Sequence, residues 1–157
     1  MTQESITQKI YSFSELPTDL LYTIMQMREK VFVVEQNCPY LDADGKDLNS
    51  YHFLLFYENE IVGYQRLLPP GVSYEKYASI GRVLTPIEFR GKNYGREMIS
   101  RGIKACLELF DNHSIKISAQ SRLNKLYSEF GFKETGEHYL EDDIPHSAMI
   151  YAVSKIS

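Results

Sequence analysis

The stretch Glu88-Phe89-Arg90-Gly91-Lys92-Asn93-Tyr94-Gly95-Arg96 sets two glycines among three cations. An extended segment precedes it, Ala78-Ser79-Ile80-Gly81-Arg82-Val83-Leu84-Thr85, ended by Pro86. A periodic segment follows, with Met98, Ile99, Gly102, Ile103, Cys106, Leu107 and Phe110 on one helical face. The stretch is therefore a strand-to-helix turn. At a helix start the backbone N–H groups point outward without intrahelical partners, and the helix dipole adds partial positive charge. Gly91 and Gly95 let a ligand approach the main chain closely. Arg90, Lys92 and Arg96 can hold an anion locally. This chemistry asks for a phosphate or a pyrophosphate.

Two common phosphate loops do not fit. In the nucleotide-triphosphate pattern G-x-x-x-x-G-K-[ST], Gly91-Lys92 would need Ser or Thr next, and Asn93 follows. The first glycine of that pattern would fall on Pro86. The dinucleotide fingerprint G-x-G-x-x-G is absent as well. What remains is R-x-x-N-x-G, from Arg90 to Gly95.

The elements that must position this turn read as one domain over residues 1–157, long enough to bury a proper core. A hydrophobic share of 43% is ordinary globular composition. The net charge of −4 argues against a nucleic-acid binder and against an anionic membrane surface. No apolar run approaches a membrane span, and no signal peptide is read. Cys38 and Cys106 do not form a disulfide framework, and Cys106 falls on an apolar helix face. A cytoplasmic location is expected.

Taken in order, Thr7 to Phe13 reads as a first strand. Pro17-Thr18-Asp19 starts a helix with Leu20, Leu21, Ile24, Met25, Arg28, Val31 and Phe32 on one face. Arg28 is expected to snorkel at the rim; the alternative is that it points into a polar pocket. The loop Asp42-Ala43-Asp44-Gly45-Lys46-Asp47 invites a calcium reading. With Gly45 sixth, however, the first and twelfth positions are Tyr40 and Tyr51, which supply no carboxylate. An Asp-Gly turn is expected instead, with a polar wall of an acceptor site as the sharper option. Its carboxylates would attract a cationic amine. No metal is expected.

Tyr51 to Tyr57 and Ile61 to Leu68 read as a hairpin, with His52 satisfied in the sheet. His113 to Gln120 is a further strand. A short helix carries Leu123, Leu126, Tyr127 and Phe130 and is capped by Gly131. Phe132 to Leu140 reads as a strand, and Ala148 to Val153 as the last one, after the loop Glu141 to His146. The order is α/β.

The R-x-x-N-x-G turn resembles the [QR]-x-x-G-x-[GA] turn of the GCN5-related N-acetyltransferases (GNAT). Asn93 stands where glycine is usual, and Asn enters the left-handed region readily. Tyr127-Ser128-Glu129-Phe130-Gly131-Phe132 resembles the family's Y-x-x-x-G-F signature. Arg28 to Asp47 is similar to the ElaA-type branch, R-x-x-V-F-V-V-E-Q-x-C-P-Y-x-D-x-D-G-x-D, as are Ile80-Gly81-Arg82-Val83 and Glu141 to His146.

The resemblance implies an α/β fold with a mixed central sheet of about six or seven strands flanked by helices. It implies direct transfer of an acetyl group from acetyl-CoA to a primary amine of a small molecule or protein. Val83, Leu84 and Thr85 would offer main-chain groups to the pantetheine arm. Arg90, Gly91, Lys92, Asn93, Tyr94, Gly95 and Arg96 would hold the pyrophosphate, and Gln120 would contact the cofactor. Tyr127 would donate toward the departing sulfur; its stripe also suits plain packing. Glu35, Asp142 and His146 are candidates for the base, beside a bulk-water relay. Cys38 as a nucleophile has no marked His partner. The alternative function is a non-catalytic acyl-CoA-binding regulatory module. A homodimer is left open.

Overall fold

The computed structural model describes residues 5–154. Seven strands and three α-helices follow in the order β1 (Ile6–Ser12), α1 (Thr18–Arg28), β2 (Tyr51–Tyr57), β3 (Glu60–Leu68), β4 (Ser79–Leu84), α2 (Tyr94–Leu109), β5 (Ile115–Gln120), α3 (Asn124–Glu129), β6 (Lys133–Glu141) and β7 (Ile144–Tyr151). Strands β1-β2-β3-β4 form one antiparallel sheet and β5-β7-β6 another. The expected mixed sheet is thus two antiparallel halves. Their parallel junction is a single bridge, Ala78 to Ile115. There, Ala78 donates to the Ser114 carbonyl at 3.0 Å and accepts from the Lys116 N–H at 2.9 Å.

The first sheet is covered on both faces, which is why β2 and β3 read as apolar runs rather than as alternations. Successive side chains point to opposite faces. Phe53 and Leu55 therefore pack toward Met98, Ile99 and Ile103 of α2. Leu54 and Tyr64 pack with Ile24 of α1 and with Leu84. Helix α1 ends at Arg28 and widens into a π-helical stretch, Glu29–Glu35. Such stretches shift the face a helix presents. Here the change carries the chain from the core residue Val31 to Glu35, which borders the cleft described below.

The last strand begins earlier than the sequence suggests, at Ile144 rather than Ala148. Asp142 and Asp143 both take left-handed backbone angles, φ 51° and 63°. They make a two-residue hairpin between Glu141 and Ile144, a turn type that Asp tolerates. The acidic run reads as a loop; two of its residues are a turn and the rest is strand. His146 consequently lies in the ladder, opposite Gln120 of β5 and Tyr139 of β6. Among the described residues no helix is long and apolar enough to cross a membrane.

Candidate active site

Beyond Ala78 the facing edges of β4 and β5 separate. A cleft of about 680 Å³ opens between them, lined by Val83, Leu84 and Thr85 on one side and Ile117 to Gln120 on the other. The π-helical stretch, the β6–β7 hairpin and Tyr127 close its remaining sides. A bulge shapes the β4 wall: Arg66 pairs with Gly81 and Tyr64 with Leu84, so β4 carries one residue more than β3 over that step. Arg82, at φ 52°, takes up the extra residue. Bulges re-aim main-chain groups at sheet edges, and this edge has no strand partner past Ala78. The Gly-Arg pair inside a strand pattern was the available signal for it.

The turn into α2 has the conformation its residues predict. Gly91 and Asn93 are left-handed, at φ 79° and 67°. Phe89 and Arg90 donate their N–H groups back to Pro86 and Ile87. Among the described residues, no N–H from Gly91 to Arg96 has an acceptor in the protein; the first bond into the helix is Glu97 to the Asn93 carbonyl, 3.3 Å. Open space lies where side chains would stand at Gly91 and Gly95. The Tyr94 side chain is buried against Tyr57, so only its main chain belongs to the turn.

The cations are engaged. Arg90 donates to the Thr85 carbonyl at 2.9 Å and to Glu35 at 2.8 Å. Arg96 binds Glu129 at 2.7 Å and lies over Phe130. Lys92 lies over Phe89. Ion pairs this exposed are worth little. Of the predicted turn, Arg90 lines the cleft and residues Gly91 to Arg96 do not.

Tyr127 is half-buried at the cleft wall, edge-on to Phe132 at 5.7 Å. Its hydroxyl has no hydrogen-bond partner among the described residues, and burial pushes its pKa up to about 12. His146 donates through Nδ1 to the Ile144 carbonyl at 2.7 Å, which leaves Nε2 to accept a proton. Glu141 stands 3.3 Å from that nitrogen. Glu35 borders the same cleft with its carboxylate on Arg90, and Gln120 accepts from Arg122 at 3.1 Å. Cys38 donates weakly to the Asp142 carbonyl at 3.6 Å. Burial and the charges of Asp142 and Asp143 raise its thiol, opposite to what a nucleophile needs.

Two expectations are corrected. Arg28 is fully buried rather than at the rim; it binds Asp42 at 2.7 Å and Asp47 at 2.6 Å. The acidic loop is also no bare negative wall. Arg66 takes Asp44 at 2.8 Å and Asp47 at 2.9 Å, and Arg82 takes Asp42 at 2.7 Å. Three guanidiniums thus answer three carboxylates. The Asp-Gly turn itself is present: Gly45 is at φ 84°, and the Lys46 N–H bonds Asp44 at 3.0 Å. His52 is satisfied, as expected: Nε2 donates to the Asp47 carbonyl at 3.0 Å, and Nδ1 accepts from Tyr64 at 2.8 Å.

These groups make stability acid-sensitive. Burial alone would raise the Asp44 and Asp47 carboxyls, but their arginine partners hold both below the usual range. Such depressed groups stabilise the fold above their unfolded pKa and lose that contribution as pH falls through the folded one. Burial likewise lowers the His52 pKa, so its contribution is lost below the ordinary imidazole value. Tm is expected to start falling below pH about 6.5 and to drop steeply below about 4. Calorimetry from pH 8 to 3 checks this; a flat profile to pH 3 would contradict the ion cluster.

Comparison with known proteins fits this geometry. The family described as acetyltransferase (GNAT) domain matches residues 23–153. Protein ElaA of Escherichia coli is 39% identical over 138 residues, covering 87% of this chain and 90% of that protein. The crystal structure of E. coli ElaA superposes with a TM-score of 0.85 at 36% identity, covering 94% and 99% of the two chains. An acyl-CoA N-acyltransferase from Pseudomonas aeruginosa superposes with a TM-score of 0.88 at 37% identity, over 94% of this chain and all of that one. The chain belongs to the GNAT acetyltransferase family, in its ElaA-like branch, and is an acyltransferase.

Proposed function

We propose that the chain transfers an acetyl group from acetyl-CoA directly to a primary amine. The observation that carries this reading is the row of unanswered N–H groups from Gly91 to Arg96, at a helix start, beside the splayed β4–β5 edges. Those amides would receive the pyrophosphate. Val83, Leu84 and Thr85, on the unpartnered edge of β4, would receive the pantetheine arm as a strand receives another strand. The bulge at Arg82 re-aims main-chain groups of that edge, and a donor there would meet the thioester oxygen, where charge develops.

The step balances without a cofactor. The neutral amine forms a C–N bond, the C–S bond breaks, and the amine loses one proton. His146 Nε2 and the carboxylates of Glu35 and Asp142 line this cleft and could take that proton, directly or through water. Tyr127 donates to the departing sulfur. Two free thiols, Cys38 and Cys106, suit a reducing cytoplasm.

The test combines binding and turnover. Calorimetry should detect acetyl-CoA, and an amine panel should release free thiol. Gly95→Leu gives a diagnostic pair of opposite signs. Leucine is the better helix former, so stability should rise by about 0.5–1 kcal/mol. The same side chain fills the space a pyrophosphate needs, so acetyl-CoA affinity should fall at least about ten-fold, or 1.4 kcal/mol. Undiminished binding in Gly95→Leu would place the cofactor elsewhere.

A further inference from the structure

Resting on the acyl-transfer reading above, we propose that the acceptor is an amine bearing its own carboxylate, an amino-acid-like zwitterion. Lys46 and Arg82 receive its carboxylate, and the β6–β7 hairpin receives its amine.

The loop Asp42 to Asp47 reads from sequence as negative. In the folded chain its three carboxylates face Arg28, Arg66 and Arg82, and those six charges cancel. What the loop adds to the cleft is then Lys46. Its Nζ donates to a neutral group, Ser73 Oγ, at 3.0 Å. Among the described residues no carboxylate stands within ion-pair distance of it. Arg82 lies on the same wall. It binds Asp42 through Nε, and the Asp42 carbonyl and Asp44 through Nη2, which leaves Nη1 without an acceptor among the described residues. The bulge fixes its backbone and the Tyr40 ring lies 5.7 Å from its guanidinium. A guanidinium held this way, with a free N–H in the same cleft as an unmatched ammonium, is a ready partner for a carboxylate.

The β6–β7 hairpin brings the opposite sign to the same cleft. Glu141, Asp142 and His146 line the cleft from the hairpin. The Asp142 carboxylate has no cation among the described residues. The two walls are joined closely. Ser73 holds Lys46, and the next residue, Tyr74, lies within electrostatic reach of Glu141. Lys46 and Asp142, the unmatched charges of opposite sign, thus line one cleft of about 680 Å³, room for a small molecule. A simple amine would leave Lys46 unanswered, and a simple carboxylate would meet Asp142. A ligand that fills the cleft covers both charges, and charges removed from water need partners; a zwitterion supplies both. Transfer consumes the amine alone: the ammonium first loses one proton to solvent, the neutral amine forms the C–N bond as the C–S bond breaks, a second N–H proton is lost and the departing thiolate takes one up, and the carboxylate stays on Lys46.

Matched triads test this: a proteinogenic amino acid, its carboxamide and the corresponding decarboxylated amine, each with acetyl-CoA and thiol detection. For the preferred side chain, kcat/KM of the free acid should exceed both others by about ten- to a hundred-fold, the worth of a charge-assisted hydrogen bond. Lys46→Met should collapse that ratio and Lys46→Arg should keep it, with acetyl-CoA affinity by calorimetry reporting on the donor site. The acceptor class is overturned by equal or better use of the carboxamide or amine. It is also overturned by an unchanged ratio in Lys46→Met, or by no turnover of any triad while acetyl-CoA binds. Each of those results leaves the acyl-CoA reading standing. A parent protein that does not bind acetyl-CoA would remove both.

Discussion

Tyr127→Phe should lower kcat by about 10²- to 10³-fold, the range for removing one preorganised donor, while acetyl-CoA affinity stays at the parent value. The phenol lines the cleft without a partner of its own, so its hydrogen is free for the sulfur. Burial pushes it to about 12, well above a free thiol near 8.5. That gap decides the form of the help. Complete proton transfer from the phenol to an ordinary thiolate runs uphill, so in the proposed reaction Tyr127 would stabilise the departing sulfur by a hydrogen bond, with solvent supplying the proton afterwards. It follows that ionisation of Tyr127 should not limit kcat at pH 10, where an ordinary phenol would already be half lost. Phenylalanine retains the edge contact with Phe132, so fold and donor site stay intact in the variant. Full turnover in Tyr127→Phe would return this residue to plain packing.

Arg28→Met should cost about 3–5 kcal/mol, the range for breaking a buried pair from one side. Methionine fills nearly the same volume, so the loss reports charge rather than a cavity. Arg28 is fully buried and touches both Asp42 and Asp47. Without it, three carboxylates share two guanidiniums, and one buried negative charge has no answer. Urea denaturation at pH 7 measures the loss. Adding Asp47→Asn to Arg28→Met should recover part of it, since that restores equal numbers of charges. The penalty should also shrink below pH 4, where the unmatched carboxylate can take a proton. An Arg28→Met protein as stable as the parent would mean that the cluster is solvated rather than sealed.

The legible parts were those governed by near neighbours. Periodicity over α2 identified its buried face, Met98, Ile99, Gly102, Ile103 and Cys106. Asn93 and Gly131 stand in the left-handed conformations read for them. Residue type alone marked the turn at Asp44-Gly45. The boundary of β7 was missed because acidic residues and a proline read as loop, although two left-handed aspartates suffice to turn the chain. Arg28 was misread because a helical face says which side is inside and not what waits there. Its partners are 14 and 19 residues away.

By itself the chain's order of residues determined the elements, the apolar faces and the open amides of the turn, since these follow from backbone geometry within a few residues. Tertiary structure alone decided the separation of β4 from β5 and the electrical sign of the cleft walls. The reason is range. Arg66 and Arg82 reach Asp44 and Asp42 across 22 and 40 residues, and only the folded sheet brings them close enough to cancel the loop's charge and leave Lys46 unmatched.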